Sequence, residues 1–152
     1  MGTPLYTVAE LRAAEKTAQR ELPAGTLMAR AGAAVASRIA TLQFGKPLSI
    51  CVVAGPGNNG GDGYVAATEL QAARNRVTCI QLAEPVTGDA RDALARWRAS
   101  GGTTHKDWAA QKNFDVIVDA VLGIGQTRPL QGALLAAVQW INEQRTRVIA
   151  ID

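Results

Sequence analysis

A β-prone run, Leu48-Ser49-Ile50-Cys51-Val52-Val53-Ala54, passes without a break into Gly55-Pro56-Gly57-Asn58-Asn59-Gly60-Gly61-Asp62-Gly63. A strand with no polar alternation is covered on both faces, which requires layers of helix above and below a sheet. Glycines crowded at 60, 61 and 63 mean that the backbone approaches something closely or adopts positive φ. Two adjacent asparagines in such a turn suggest a ligand better than a bare tight turn does. These sixteen residues point to an α/β chain with a site at a strand end.

The flanking segments agree. Thr7 and Glu10 form a capping-box pair, opening a helix through Leu11, Ala14 and Ala18 that ends before Pro23. A second helix is expected from about Gly25 to Phe44, with Met28, Ala31, Val35, Ile39 and Leu42 on one face. After the glycine loop come a helix from about Gly61 to Arg74 and a strand from Arg76 to Ala83. A helix through Ala90, Ala93, Leu94 and Trp97 ends at Gly101-Gly102. Phe114 to Val118 reads as another buried strand, and Asp119 to Pro129 as a loop. A helix bearing Leu134, Val138 and Ile141 follows, and then a strand from Arg147 to Ile151 that should be central. Strands alternating with long helices imply right-handed crossovers and a mainly parallel sheet. The expected fold is a three-layer α/β/α, Rossmann-like sandwich forming one domain over residues 1–152. The chain reads as truncated at its C-terminal end, one residue after that last strand.

Parallel sheets bind ligands at the carboxyl ends of their strands. That rule puts the glycine loop, Asp119 and Asp152 on one edge, because each follows or ends a strand. Gly55-x-Gly57-x-x-Gly60 also satisfies the dinucleotide fingerprint. Against an ordinary dehydrogenase, Asp62 at the expected helix start would compete with a pyrophosphate for the positive helix end. The sole candidate for a ribose-binding acid, Glu84, is followed by Pro85.

Other classes are disfavoured. Sixteen basic and 13 acidic residues give a net charge of only +3, aromatics are 5%, and the arginines are scattered, unlike a nucleic-acid interface. No apolar run approaches the roughly 20 residues of a membrane span. The N-terminus has no pattern of a signal peptide, so the expected location is cytoplasmic. Cys51 and Cys79 each lie inside an apolar run and read as buried hydrophobes. His105, the one histidine, sits in a polar stretch and reads as surface or loop.

The segment Asn58-Asn59-Gly60-Gly61-Asp62-Gly63-Tyr64 resembles the motif of the NAD(P)HX epimerases, the YjeF N-terminal domain type. Leu27-Met28-Ala29-Arg30-Ala31-Gly32 is similar to that family's second-helix motif, and Val118-Asp119-Ala120-Val121-Leu122-Gly123-Ile124-Gly125 to its Asp-Ala-x-x-Gly-x-Gly segment. Arg128-Pro129-Leu130 and Ile149-Ala150-Ile151-Asp152 extend the likeness, which runs in order from Leu27 to Asp152.

The resemblance implies interconversion of the R and S forms of hydrated NADH or NADPH (NADHX and NADPHX) in nicotinamide cofactor repair. By position, it implies substrate contacts from Asn58, Asn59, Gly60, Gly61 and Asp62. Gly123, Ile124, Gly125, Gln126, Thr127, Arg128, Pro129 and Asp152 complete that set. It implies potassium as cofactor, with Asn59 and Asp119 as ligands. A weakly hydrated hard cation is suited by amide, carboxylate and carbonyl oxygens; Asp119 otherwise reads as a strand-end turn cap. Asp152 is the candidate acid-base residue, and Arg128 the candidate for a substrate phosphate. A dehydratase, separate or fused, is the implied functional partner, and a homodimer is compatible. In the family an Ile-Pro-Ser-Gly segment follows the position of Asp152, and its serine completes the cation site. The alternative is a non-catalytic nucleotide-binding or dimerising scaffold of the same fold, against which Asp119 and Asp152 argue. An oxidoreductase resting on the glycine fingerprint alone is a weaker third reading.

Overall fold

The computed structural model describes residues 5–42, 45–108, 110–111 and 113–152. Among these residues five helices and five strands follow one another as α1 Val8–Glu21, α2 Thr26–Ala40, β1 Ser49–Ala54, α3 Asn58–Ala72, β2 Arg76–Gln81, α4 Gly88–Ala99, β3 Thr104–His105, β4 Val116–Ala120, α5 Gly132–Glu143 and β5 Arg147–Ala150. Every strand pair is parallel, and the order across the sheet is β3-β2-β1-β4-β5. The direction of winding reverses between β1 and β4, the place where such sheets open a crevice for ligands.

The strands divide their side chains between two cores. Ile50, Val52 and Ala54 of β1, with Val116, Val118 and Ala120 of β4, pack under α2, α3 and α4 against Met28, Ile39, Tyr64, Leu70 and Trp97. Cys51 and Val53, with Ile80 and Ile117, face the other way onto Ala137 and Ile141 of α5. This period of two on a strand buried on both faces is why the sequence of β1 reads as unbroken apolar. The three-layer sandwich is therefore as expected.

Local chemistry accounts for the element ends. Thr7 caps α1: its Oγ1 accepts from the Glu10 N–H at 3.3 Å, while the Glu10 carboxylate accepts from the Thr7 N–H at 2.7 Å. Thr87 caps α4 through the Ala90 N–H. Buried Asn75 ties the end of α3 to the start of β1, accepting from the Leu48 N–H and donating to the Leu70 carbonyl.

Two expectations are corrected. α3 begins at Asn58 rather than near Gly61, so the paired asparagines form its first turn and Asp62 lies in the second, too deep to cap the helix. Asp119 is not in a loop but within β4, opposite Val53. A two-residue strand, β3, too short for periodicity to reveal, lies beside β2, and its His105 is exposed, in keeping with the surface reading. β5 pairs with β4 among the described residues. The expected end of α2 at Phe44 falls outside the described residues; α2 itself closes at Ala40. No helix among the described residues is long and apolar enough to cross a membrane.

Candidate functional site

A cleft of about 460 Å³ opens at the carboxyl ends of β1 and β4, where the winding reverses. Its floor is the turn from β1 into α3, with Gly57, Asn58 and Asn59. The segment Val121 to Gln126 after β4 forms one wall, and Asp152, just past β5, closes that side. Leu27, Met28 and Ala31 of α2 line the opposite side, joined by Arg12, Glu15 and Gln19 of α1.

The glycines of the turn are there for close approach. None of Gly55, Gly57, Gly60, Gly61 or Gly63 has positive φ. A Cβ on Gly55 would stand 1.9 Å from the Val121 carbonyl oxygen, and one on Gly60 1.9 Å from that of Gly55. The strand end, the first turn of α3 and the segment after β4 thus touch backbone to backbone. Gly123 serves the site directly, since a Cβ there would lie 2.2 Å from Asp152 Oδ2.

Two polar groups meet in that gap. The Asp152 carboxylate accepts a hydrogen bond from the Ile124 N–H at 3.0 Å, which holds it across the mouth of the Gly123 turn. Asn59 approaches the same turn, its Cγ 3.7 Å from the position of a Gly123 Cβ. It is 7% exposed, and neither its Oδ1 nor its Nδ2 has a hydrogen-bond partner among the described residues. A buried primary amide left unmatched costs about 1–3 kcal/mol, so such a group marks a place where a ligand supplies the partner. Asn58 is engaged instead: its Oδ1 accepts from the Thr87 hydroxyl at 2.7 Å.

Asp62 faces the cleft one turn further along α3. Burial, and then the negative charges of Asp152 and Glu15, push its carboxyl up to about 7. This has a thermodynamic consequence. With a folded-state value near 7 against an ordinary 3.8, the stability associated with protonated Asp62 is fully present below pH 4. It declines as pH rises to about 7 and is absent above. Solvent reaches this carboxyl, so the discounted effect is about 1 kcal/mol, or about 2–4 °C in Tm. Asp62→Asn is expected to flatten the fall in Tm between pH 4.5 and 8 in scanning calorimetry; an unchanged slope would refute the assignment.

The other expected residues are distributed as follows. Asp119 lies beneath the cleft rather than along it, its Oδ1 accepting from the Val121 N–H at 3.0 Å, which is the turn-capping role. Gly60 and Gly61 are buried behind the floor, packed on Gly55 and on Met28. Gln126 reaches the cleft, and its side-chain amide donates to the Arg128 carbonyl; Thr127, Arg128 and Pro129 are exposed beyond it. Glu84 belongs to a separate small depression with Gln81 and Lys106, away from the glycine turn. Cys51 and Cys79 are free and buried, and burial raises both thiols, Cys51 to about 12, which suits core residues and not nucleophiles.

Sequence reasoning missed Arg12, Glu15, Gln19 and Asp89, all of which line the cleft. The first three recur at i, i+3 and i+7 and so share one helix face. That polar stripe was visible beside the apolar one of Leu11, Ala14 and Ala18. What it faces is a tertiary fact.

Residues suited to a cation are present. Among the described residues no three His, Cys, Asp or Glu side chains cluster to hold a metal. The buried Oδ1 of Asn59 has no partner among the described residues, and Asp119 stands in β4 two residues before Val121, whose N–H its Oδ1 accepts. An amide and a single carboxylate fit a weakly hydrated monovalent ion better than zinc or magnesium.

A family model described as YjeF-related protein N-terminus matches residues 24–152. The chain is 40% identical over 147 residues to the NAD(P)H-hydrate epimerase of Bordetella pertussis, covering 95% of this chain and 63% of that protein. It is 36% identical over 151 residues to the NAD(P)H-hydrate epimerase of Achromobacter xylosoxidans, covering 98% and 71%. A bifunctional NAD(P)H-hydrate repair enzyme of Thermofilum pendens is 37% identical over 155 residues, covering 92% of this chain and 28% of that one. The chain thus spans less than two thirds of the length of the Bordetella relative. The crystal structure of yeast ynu0 has the same fold, with a TM-score of 0.81 at 22% identity over 97% of this chain and 70% of that one.

Proposed function

Since the chain belongs to the family of YjeF-related N-terminal domains, we propose that it interconverts the R and S forms of hydrated NADH and NADPH. One observation carries this reading. At the switch point of the sheet, the Asp152 carboxylate held on the Ile124 N–H and the unmatched amide of Asn59 converge on the turn at Gly123.

The chemistry required is modest. The carbon to be inverted bears a hydroxyl and is bonded to the ring nitrogen. Protonation of the hydroxyl lets the C–O bond break and water depart, as the nitrogen lone pair forms a C=N bond. Water then adds to the opposite face and returns its proton to the same carboxylate. Asp152 is assigned this proton exchange. Asp62 lies in the same cleft, and its carboxyl, pushed up to about 7 by burial and by the charges of Asp152 and Glu15, can hold a proton near neutral pH. The Asn59 amide would orient the substrate, and Leu27, Met28 and Ala31 offer an apolar surface to the ring.

Asn59 and Asp119 are assigned to potassium, which when bound would supply positive charge to the site. The remaining assigned contacts, Asn58, Gly60, Gly61 and Gly123 to Pro129, belong to the same reading. So do a cytoplasmic location and a dehydratase as functional partner, the latter in keeping with relatives named as bifunctional repair enzymes.

The test is direct. R-NADHX incubated with the protein and potassium chloride should be converted to an R/S mixture, resolved by chromatography, faster than in protein-free buffer. A rate equal to the uncatalysed one would refute the proposal.

A further inference from the structure

α1 lies wholly outside the span matched by the family model, which starts at residue 24, yet it supplies Arg12, Glu15 and Gln19 to the cleft. No residue of α1 is buried, so apolar packing is not what holds it over the site. The cleft gives it another role. Among the described residues its charged lining consists of four carboxyl groups, Glu15, Asp62, Asp89 and Asp152, and a single cation, Arg12. Any phosphate-bearing ligand entering this space meets repulsion from every charged side chain except one. The Arg12 guanidinium lies along the segment after β4: its Nη2 is 3.6 Å from the position a Cβ would take on Gly125. That is van der Waals range, so the guanidinium and the loop are neighbours across the cleft.

We propose that Arg12 binds the pyrophosphate of a dinucleotide ligand, and that this contact secures α1 over the cleft. The proposal deepens the functional reading above and rests on it for the identity of the ligand. It adds a phosphate contact within the cleft to the one assigned to Arg128, which is not among the residues that line it. Guanidinium offers paired N–H donors to phosphate oxygens, which lysine does not reproduce. Ligand binding then also orders α1, because the helix gains through the phosphate the attachment its own surface does not provide.

ADP-ribose carries the pyrophosphate but no nicotinamide ring, so its binding is independent of epimerisation. Titrated into the intact protein by calorimetry, it should bind wild type, with Arg12→Gln weakening the affinity about 10- to 100-fold and Arg12→Lys intermediate. Glutamine keeps the helix propensity of arginine. Arg20→Gln removes a charge from the same helix at a position that does not line the cleft, and should bind as wild type. Hydrogen exchange of the amides between residues 8 and 21 should slow on adding ADP-ribose to wild type and not to Arg12→Gln. Equal affinity of Arg12→Gln and wild type, equal losses in Arg12→Gln and Arg20→Gln, or no binding of ADP-ribose by wild type at millimolar concentration would each overturn the proposal. Arg12-dependent binding without any epimerisation of R-NADHX would leave it standing and sink the epimerase reading instead.

Discussion

Asp152→Asn is expected to lower the rate of NADHX epimerisation by about 10²- to 10⁴-fold, the range general acid–base catalysis contributes. Asparagine keeps the shape of the side chain, and its amide oxygen can still accept from the Ile124 N–H that now positions the carboxylate at 3.0 Å. It cannot lend a proton to the departing hydroxyl or recover one from water. Affinity for NADHX should therefore change less than about threefold, measured as KM beside kcat. Relief of the charge facing Asp62 gives a second readout, because Asp152 is one of the causes that raise that carboxyl. Titration of Asp62 followed by carboxyl-carbon NMR should move to lower pH in the variant. Turnover within a few-fold of wild type would remove Asp152 from the chemistry.

The largest effect on stability is expected at Gly60. Its missing Cβ would stand 1.9 Å from the Gly55 carbonyl oxygen and 2.8 Å from the carbon that bears it. Both are backbone atoms, so no rotamer change relieves the contact. Gly60→Ala must push the first turn of α3 away from the end of β1, which Val121 holds from the other side at Gly55. Overpacking costs about 1–3 kcal/mol where side chains can yield and more where they cannot. A loss of at least 3 kcal/mol is expected, a fall of about 6–12 °C in Tm for a chain of this size. Gly88→Ala is the control: nothing lies within 4 Å of its Cβ position and its φ is negative, so its stability should stay within about 0.5 kcal/mol. A thermal melt of Gly60→Ala superimposable on wild type would show that the contact between the two turns yields freely.

What could be read from the sequence follows the range of the forces involved. β1 and β4 declare themselves because residues buried on both faces leave an unbroken apolar run, a record written locally. The capping box at Thr7 and Glu10 is equally local, and the structure has it in both directions. The start of α3 was misjudged because Asn58, Asn59, Gly60 and Gly61 are poor helix formers. They are helical here because the turn is clamped between Val121, Met28 and Ala90, contacts from distant parts of the chain. The carboxyl-end rule brought the glycine turn and Asp152 to one edge correctly, since in a parallel sheet that edge is dictated by strand direction alone. It could not tell that Asp119 sits within the strand and below the floor, a matter of one or two residues of register. Arg12 and Glu15 lay beyond its reach, because α1 joins the site from outside the sheet.

The contrast between the two sides of the cleft bears on how such a site can be altered. One side is in effect a casting: at Gly55, Gly60 and Gly63 the chain leaves no room for a methyl group, so substitution there breaks the mould before it changes what the mould admits. Across from it, the part contributed by α1 is a fitted piece with no buried residue of its own. New ligand preferences should therefore be sought by redesigning positions 12, 15 and 19, where side chains can be exchanged without disturbing the sheet.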